Sequence, residues 1–252
     1  MEIKLSAVVI TKNEEKNISK CLESLQFADE VLVIDDCSKD NTRKIAEKFN
    51  AIVYLRDLNG NFSEQRNYAL SLARGKWVMF VDADEVVSNS LASEILENID
   101  KKNAVIGYYL KRNDVIFNRE LVCGETGSAR LLRLARRSAG KWRRKVHEEW
   151  VVNGKVEELE NPLIHFPHQT LNEFLSDVNS MSTLHAKANF EEGKRSTLIK
   201  IIFWPLFKFI DSIFLKKGYK DGNEGFVVAL VMSLHSFLAW SKMWLQKKKK
   251  PV

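Results

Sequence analysis

Two groups of carboxylates stand where chemistry could be done. Asp82 and Asp84, one residue apart, follow directly on the apolar run Trp77 to Val81, and Asp35-Asp36 closes a second run, Val31 to Ile34. A carboxylate at the end of a buried strand sits in a loop, poorly placed for packing and well placed for a polar ligand. In open α/β sheets, ligands bind at the carboxyl ends of the strands. Two carboxylates separated by one residue can share a hard cation. Mg2+ and Mn2+ take oxygen ligands and often bridge protein carboxylates to substrate phosphates. D-x-D alone occurs by chance in many chains. Directly after VMFV, with DDCSKD ending an earlier strand, it is a far more specific signal. Later come a basic stretch over 130–145, Glu148 and Glu149 within Val-His-Glu-Glu-Trp, and His165 between Pro162 and Pro167.

The elements that must carry these residues follow from periodicity. Leu5 to Ile10, Val31 to Ile34, Ala51 to Leu55 and Trp77 to Val81 are short apolar runs fit for buried strands. Between them, Ile18, Leu22 and Leu25, then Ile45, Ala46 and Phe49, fall at helical spacing, and residues 63–74 predict a helix stopped by Gly75 as its C′ glycine. Strands alternating with short helices imply βαβ units and a mostly parallel sheet flanked by helices, an α/β fold. Beyond residue 100 the pattern loosens. Val105 to Leu110 and Leu131 to Leu134 suit strands, and Leu171 to Phe190 suits a helix.

TKNEEKNI, VLVIDDCSKDNT, EQRNYALSLARGKW and VMFVDADE resemble, in order and spacing, the nucleotide-sugar half of family 2 glycosyltransferases with the Rossmann-like GT-A fold. The likeness spans roughly residues 4–100. VHEEW and the His165 segment resemble the later half of the branch that holds the β-glucosyltransferases of lipopolysaccharide core biosynthesis. The resemblance implies an inverting transfer of glucose from a UDP-sugar donor to a lipid-anchored glycan acceptor. It implies that Thr11 and Asn13 line the nucleotide pocket, that Asp36 accepts the uracil N3–H, and that Arg66 approaches the base or the diphosphate. Asp82 would contact the ribose or the water shell of a divalent cation (Mg2+ or Mn2+), and Asp84 would ligate that cation directly. A late histidine completes the metal shell in related folds, and His165 is the candidate here. For the base that removes the acceptor proton, Glu148 is taken, with Glu149 as the alternative. Relatives often carry an Asp of a Glu-Asp pair near this point, and this chain departs from that. Asp35 and Asp40 suit turn and cap chemistry. The basic residues of 130–145 suit either an anionic acceptor or a solvated loop.

Of 252 residues, 45% are hydrophobic and 29% charged, which excludes wholesale disorder. Three cysteines, Cys21, Cys37 and Cys123, form neither a zinc knuckle nor a disulfide framework, favouring a reducing compartment. The first residues are too soon charged for a signal peptide. The net charge of +6 is uneven: residues 197–252 hold ten lysines against three acids. That segment is also rich in Phe, Trp, Leu and Ile, which points to an anionic membrane surface, not to nucleic acid. In residues 198–217, Lys200, Lys208, Ser212 and Lys216 fall on one i, i+4 line in an otherwise apolar run interrupted by Pro205. A second run, Phe226 to Ser241, has 16 residues, short of the roughly 20 that span a bilayer. A buried helical pair in a soluble oligomer is the competing reading, and the oligomeric state stays open.

The expected organisation is therefore a nucleotide-sugar half over 1–100, an acceptor and catalytic half over 101–170, and an amphipathic helical extension over 171–252. The expected location is the cytoplasmic side, peripheral on the inner face of the plasma membrane. Rival functions are a polyprenyl-phosphate glycosyltransferase and a catalytically silent, membrane-bound sugar-nucleotide binder.

Overall fold

The computed structural model describes residues 2–125, 127 and 129–248. The chain divides into two compact units: Met1–Arg112 with Arg130–His165, and Asn113–Ala129 with Phe166–Val252.

The first unit is built on alternating strands and helices. In chain order these are β1 (Leu5–Thr11), α1 (Ile18–Ser24), β2 (Glu30–Asp35), α2 (Thr42–Lys48), β3 (Ile52–Leu55), α3 (Phe62–Leu72), β4 (Trp77–Asp82), β5 (Glu85–Val87) and α4 (Asn89–Asp100). They are followed by β6 (Val105–Ile116), whose last residues enter the second unit, and by β7 (Arg119–Leu121), β8 (Ala129–Arg136), β9 (Gly140–Arg143), β10 (Glu149–Val152), β11 (Lys155–Glu158) and β12 (Leu163–His165). The main sheet runs β3-β2-β1-β4-β8-β6-β12-β5. Its first four strands are parallel, whereas β8 joins β4, and β12 joins β5, antiparallel. The parallel half is the part that the first hundred residues encode.

The apolar runs of β1, β2 and β4 are continuous because both faces of these strands are covered. The expectation of a buried strand over Ala51 to Leu55 is corrected: β3 is the edge strand, and Ile52 and Leu55 are exposed. Leu5, Ala7, Val9, Trp77, Met79 and Val81 pack on one side with Ile18 and Leu22 of α1 and Leu91 and Ile95 of α4. Val8, Leu32, Ile34, Val78 and Phe80 pack on the other with Ala69 and Leu70 of α3 and with Trp142 and Trp150. Each fully buried Leu, Ile or Phe contributes about 1.5–3 kcal/mol. Gly75 is not a left-handed cap. A Cβ there would lie 2.5 Å from the Ser6 backbone nitrogen, so glycine is required by close approach.

The second unit holds β7, paired with the end of β6, and three helices: α5 (Leu171–Glu191), α6 (Leu198–Ile210) and α7 (Gly222–Lys248). A capping box of Thr170 and Glu173 starts α5. Pro205 lies inside α6, which passes into a π-helical turn over Asp211–Leu215. The helical segment Gly218–Gln246 extends past the apolar run at both ends, and by length and composition it is long enough to cross a bilayer.

Candidate active site

Parallel register brings the strand ends together. Thr11 is paired with Asp35, and Ile10 with Asp82, so β1, β2 and β4 deliver their carboxyl ends side by side. Thr11 is buried, its carbonyl accepts from the Asp36 N–H at 2.8 Å, and its hydroxyl oxygen has no partner in the protein. A buried hydroxyl without a partner is costly, and a ligand group there would satisfy it. The Asp36 carboxylate receives Lys12 Nζ at 2.7 Å and the Leu58 N–H at 2.8 Å. Asn13, at φ 54°, clasps the neighbouring loop: its N–H donates to Ser38 Oγ and its Oδ1 accepts from the Lys39 N–H. Asp35 and Asp40 serve turns, Asp35 accepting from Ser38 and Asp40 from Thr42.

Arg66 is central. Asn61 caps α3, and that helix lays the Arg66 guanidinium over the rings of Phe80 and Trp142, at 5.6 and 4.8 Å from their centroids. Asn67 fastens β9 to the same helix through both backbone groups of Trp142. Arg66 Nε donates to Glu148 Oε1 at 2.8 Å and its Nη2 to Asp82 Oδ1 at 2.9 Å, while its buried Nη1 has no partner. One guanidinium therefore joins two candidate residues that lie 66 positions apart in sequence. Glu148 follows His147, which takes a left-handed φ of 55°. Glu149, the next residue, opens β10 with its side chain 70% exposed and lies 3.9 Å from Arg144. The geometry thus separates the two glutamates that sequence alone left as alternatives.

Two residues of this centre escaped the sequence reading. Arg133 is 6% exposed and donates from Nη2 to Asp82 Oδ2 at 2.6 Å. Glu85 is fully buried, accepts the Asp82 N–H at 2.8 Å, and lies within 4 Å of both Arg133 and Arg112. Burial alone would raise the Asp82 pKa, but the Arg133 and Arg66 charges outweigh it and hold the carboxyl far below the usual range. For Glu85, burial and then the Asp82 charge win, and its pKa is pushed up. The signal for Arg133 was the strand pattern: in Ala-Arg-Leu-Leu-Arg-Leu-Ala-Arg an arginine falls on an inward position. The basic stretch is accordingly no single surface. Arg133 turns inward, Arg136 stacks on Trp77, and Arg130 pairs with Glu158.

Asp84 and His165 face one another, with Nε2 to Oδ2 at 3.2 Å, because β12 pairs with β5 immediately after the D-x-D turn. An imidazole nitrogen and a carboxylate oxygen at this spacing fit two positions around a divalent cation. Asp82 is placed otherwise. Both its oxygens are held by guanidinium groups, and among the described residues no group of three or more His, Cys, Asp or Glu is gathered around one point. The remaining positions of such a cation suit substrate phosphate and water. His168, in the second unit, stacks on Phe174 at 4.3 Å and pairs with Asp177, a packing role.

The family model described as Glycosyl transferase family 2 matches residues 6–148. A lipopolysaccharide core biosynthesis glycosyltransferase, LpsC of Rhizobium meliloti, is 28% identical over 250 residues, covering 96% of this chain and 93% of its own length. An uncharacterized glycosyltransferase of Rickettsia bellii is 27% identical over 257 residues, covering 95% and 86%. Among solved structures, residues 1–349 of Staphylococcus aureus TarS in complex with UDP-GlcNAc align with a TM-score of 0.51 at 17% identity, over 98% of this chain and 93% of that one. That likeness is one of fold, the GT-A fold.

Proposed function

The chain belongs to glycosyl transferase family 2, and on that premise we propose that it moves glucose from UDP-glucose to a hydroxyl of a lipid-anchored glycan of the lipopolysaccharide core type, inverting the anomeric carbon. The observation that carries this reading is the single buried guanidinium of Arg66 holding both Glu148 and Asp82. It sets a proton acceptor beside the end of the site where the diphosphate would lie. The likeness to a lipopolysaccharide core enzyme over nearly the whole chain supports the acceptor class.

In this mechanism the acceptor oxygen attacks the anomeric carbon as the bond from that carbon to the β-phosphate oxygen breaks. The bonding electron pair leaves on UDP, and the hydroxyl proton passes to Glu148. Asp36 receives the uracil N3–H, and the Thr11 hydroxyl and Asn13 line the nucleotide pocket. Arg66, with its unpartnered Nη1, neutralises charge on the departing diphosphate. A divalent cation, Mg2+ or Mn2+, held by Asp84 and His165 supplies further charge stabilisation when bound.

The test is UDP release from a panel of sugar nucleotides, with truncated lipopolysaccharides as acceptors, with and without divalent metal. Turnover with UDP-glucose that needs both acceptor and metal is expected. Turnover on polyprenyl phosphate alone would move the acceptor assignment. Neither turnover nor slow donor hydrolysis, with any nucleotide, would leave a silent binder.

The second unit is read as the attachment to the cytoplasmic face of an anionic membrane, where a lipid-anchored acceptor resides. The basic cluster Lys247 to Lys250 would add to it, each lysine near the surface contributing about 1 kcal/mol at low salt. Lys249 and Lys250 lie outside the described residues. Replacing the four with Gln should weaken vesicle binding at low salt and leave UDP affinity unchanged.

A further inference from the structure

The helices α6 and α7 are built inside out. Every exposed side chain of α6 is Leu, Ile, Phe or Trp: Leu198, Ile199, Ile202, Phe203, Trp204, Leu206, Phe207 and Ile210. Between Phe226 and Gln246, the exposed positions of α7 are Phe226, Leu230, Leu234, Phe237 and Leu245. The two helices are antiparallel, since Ser196 Oγ donates to the Trp240 carbonyl, Ser233 Oγ to the Pro205 carbonyl, and Phe209 meets Phe226 edge to face. Their apolar faces therefore belong to one hairpin.

The polar groups turn the other way. Lys242 Nζ donates to the Asn179 carbonyl and Oδ1, to Ser182 Oγ and to Thr183 Oγ1, all on α5. Lys208 pairs with Glu125, and Lys200 sits over the Trp240 ring while donating to the Arg195 carbonyl. Ser212 and Ser236 are buried. Lys200 and Lys208 of the i, i+4 line, with Lys242 of α7, thus supply internal contacts. Helices folded for water show the reverse pattern. Protein interfaces are also about a third or more polar, whereas hydrocarbon requires a face with no polar group at all.

Resting on the membrane attachment proposed above, we infer that this hairpin is a monotopic anchor. Both α6 and α7 lie in the plane of one leaflet with their outer faces in hydrocarbon, and this hydrophobic contact holds the chain without the basic residues, which add to it on an anionic surface. Two observations favour the in-plane arrangement over a spanning α7. Even with the π-helical turn that continues it, α6 reaches only residues 198–215, about 27 Å of helix, short of the roughly 30 Å hydrocarbon core. And α5, which lies along the 235–242 stretch of α7 through His185 and Lys242, exposes Asn172, Ser176, Asp177, Ser180 and Lys187. These belong in water. Exposed Lys194 and Arg195 before α6, and Lys217 and Lys220 before α7, put basic groups at both ends of the hairpin, at headgroup level.

Flotation of the full chain tests the mode. It should float with vesicles of phosphatidylcholine alone as well as with an equimolar phosphatidylglycerol mixture, and binding should survive a rise from about 0.1 M to about 1 M salt. The combined change Ile202→Ser, Phe203→Ser and Phe207→Ser should lower vesicle affinity at least about tenfold, with an unchanged melting profile, because these side chains already face outward. In a Cys37→Ser, Cys123→Ser background, Asn223→Cys and Gln246→Cys should both react with an impermeant maleimide added outside sealed vesicles. Protection of either one until detergent is added would overturn the in-plane arrangement in favour of a span. Flotation only with the anionic mixture, lost at high salt, would overturn hydrophobic embedding and leave peripheral attachment standing. No flotation, with a dimer in solution that the triple variant abolishes, would sink the membrane reading itself.

Discussion

The two units solve opposite problems. The first gathers charge away from water: Arg66, Arg133 and Glu85 are buried, and the half-buried Asp82, Glu148 and Arg112 pair with them. The second exposes hydrocarbon and turns Lys208 and Lys242 inward against side-chain and backbone oxygens. Buried ions are tolerated only when paired and hydrogen-bonded, and an exposed apolar face only when something other than water meets it. The contrast teaches that burial by itself does not identify a core. In one unit the most telling buried groups are charged, and in the other the most telling apolar groups are outside.

The largest effect should come at Asp84, the proposed metal ligand. Asp84→Ala, and also Asp84→Asn, should lower transfer about a thousandfold, the several kcal/mol of charge stabilisation a bound cation supplies. Near wild-type activity at low metal in either variant would remove the ligand assignment. Next, Glu148→Gln should lose about a hundredfold or more in kcat while retaining UDP affinity. Glu149→Gln, at an exposed position, should change little. Initial rates and nucleotide titration on both variants decide between them, and the reverse pattern would transfer the role.

Stability sharpens the comparison further. Arg133→Met leaves Asp82 and Glu85 short of a buried partner and should cost about 3–5 kcal/mol in urea unfolding. Lys208→Met, whose pair with Glu125 is partly exposed, should cost about 1 kcal/mol or less. Equal losses would mean that the first unit's charges are not as desolvated as they look.

The smallest effect concerns pH. Glu30 is buried and accepts from Ser6 Oγ, the Arg74 N–H and Arg74 Nε. Burial opposes ionisation, but these donors and the Arg74 charge prevail and hold its pKa below the ordinary 4.5. Its contribution is therefore fully present above pH 4.5 and is lost as pH falls through the depressed folded value. Glu30→Gln should cost about 1–3 kcal/mol at pH 7, with a gap from the parent that narrows in acid. Thermal melts across pH 3 to 7, roughly the carboxylate range, measure it. A gap constant with pH would deny the charge any part in the stability.

The parallel half of the sheet and the residues at its strand ends were legible in the local pattern of apolar runs. A buried parallel strand must be continuously apolar, so Asp35, Asp36, Asp82 and Asp84 could only mark where strands stop. That is local information, and it survives without knowledge of any neighbour. What the tertiary structure decided are the pairings. The contact of Arg133, among eight basic residues, with Asp82, the pairing of Arg66 with Glu148, His165 opposite Asp84, and the inward turn of Lys200, Lys208 and Lys242 depend on which segments pack together. A helical repeat gives the angle between side chains on one helix, and a strand repeat gives alternation. Neither gives the side from which the partner element arrives. In the second unit the acceptors lie on the protein side, Glu125 and the Arg195 carbonyl for Lys208 and Lys200 and the α5 oxygens for Lys242, so these lysines face the protein and the apolar side chains face out.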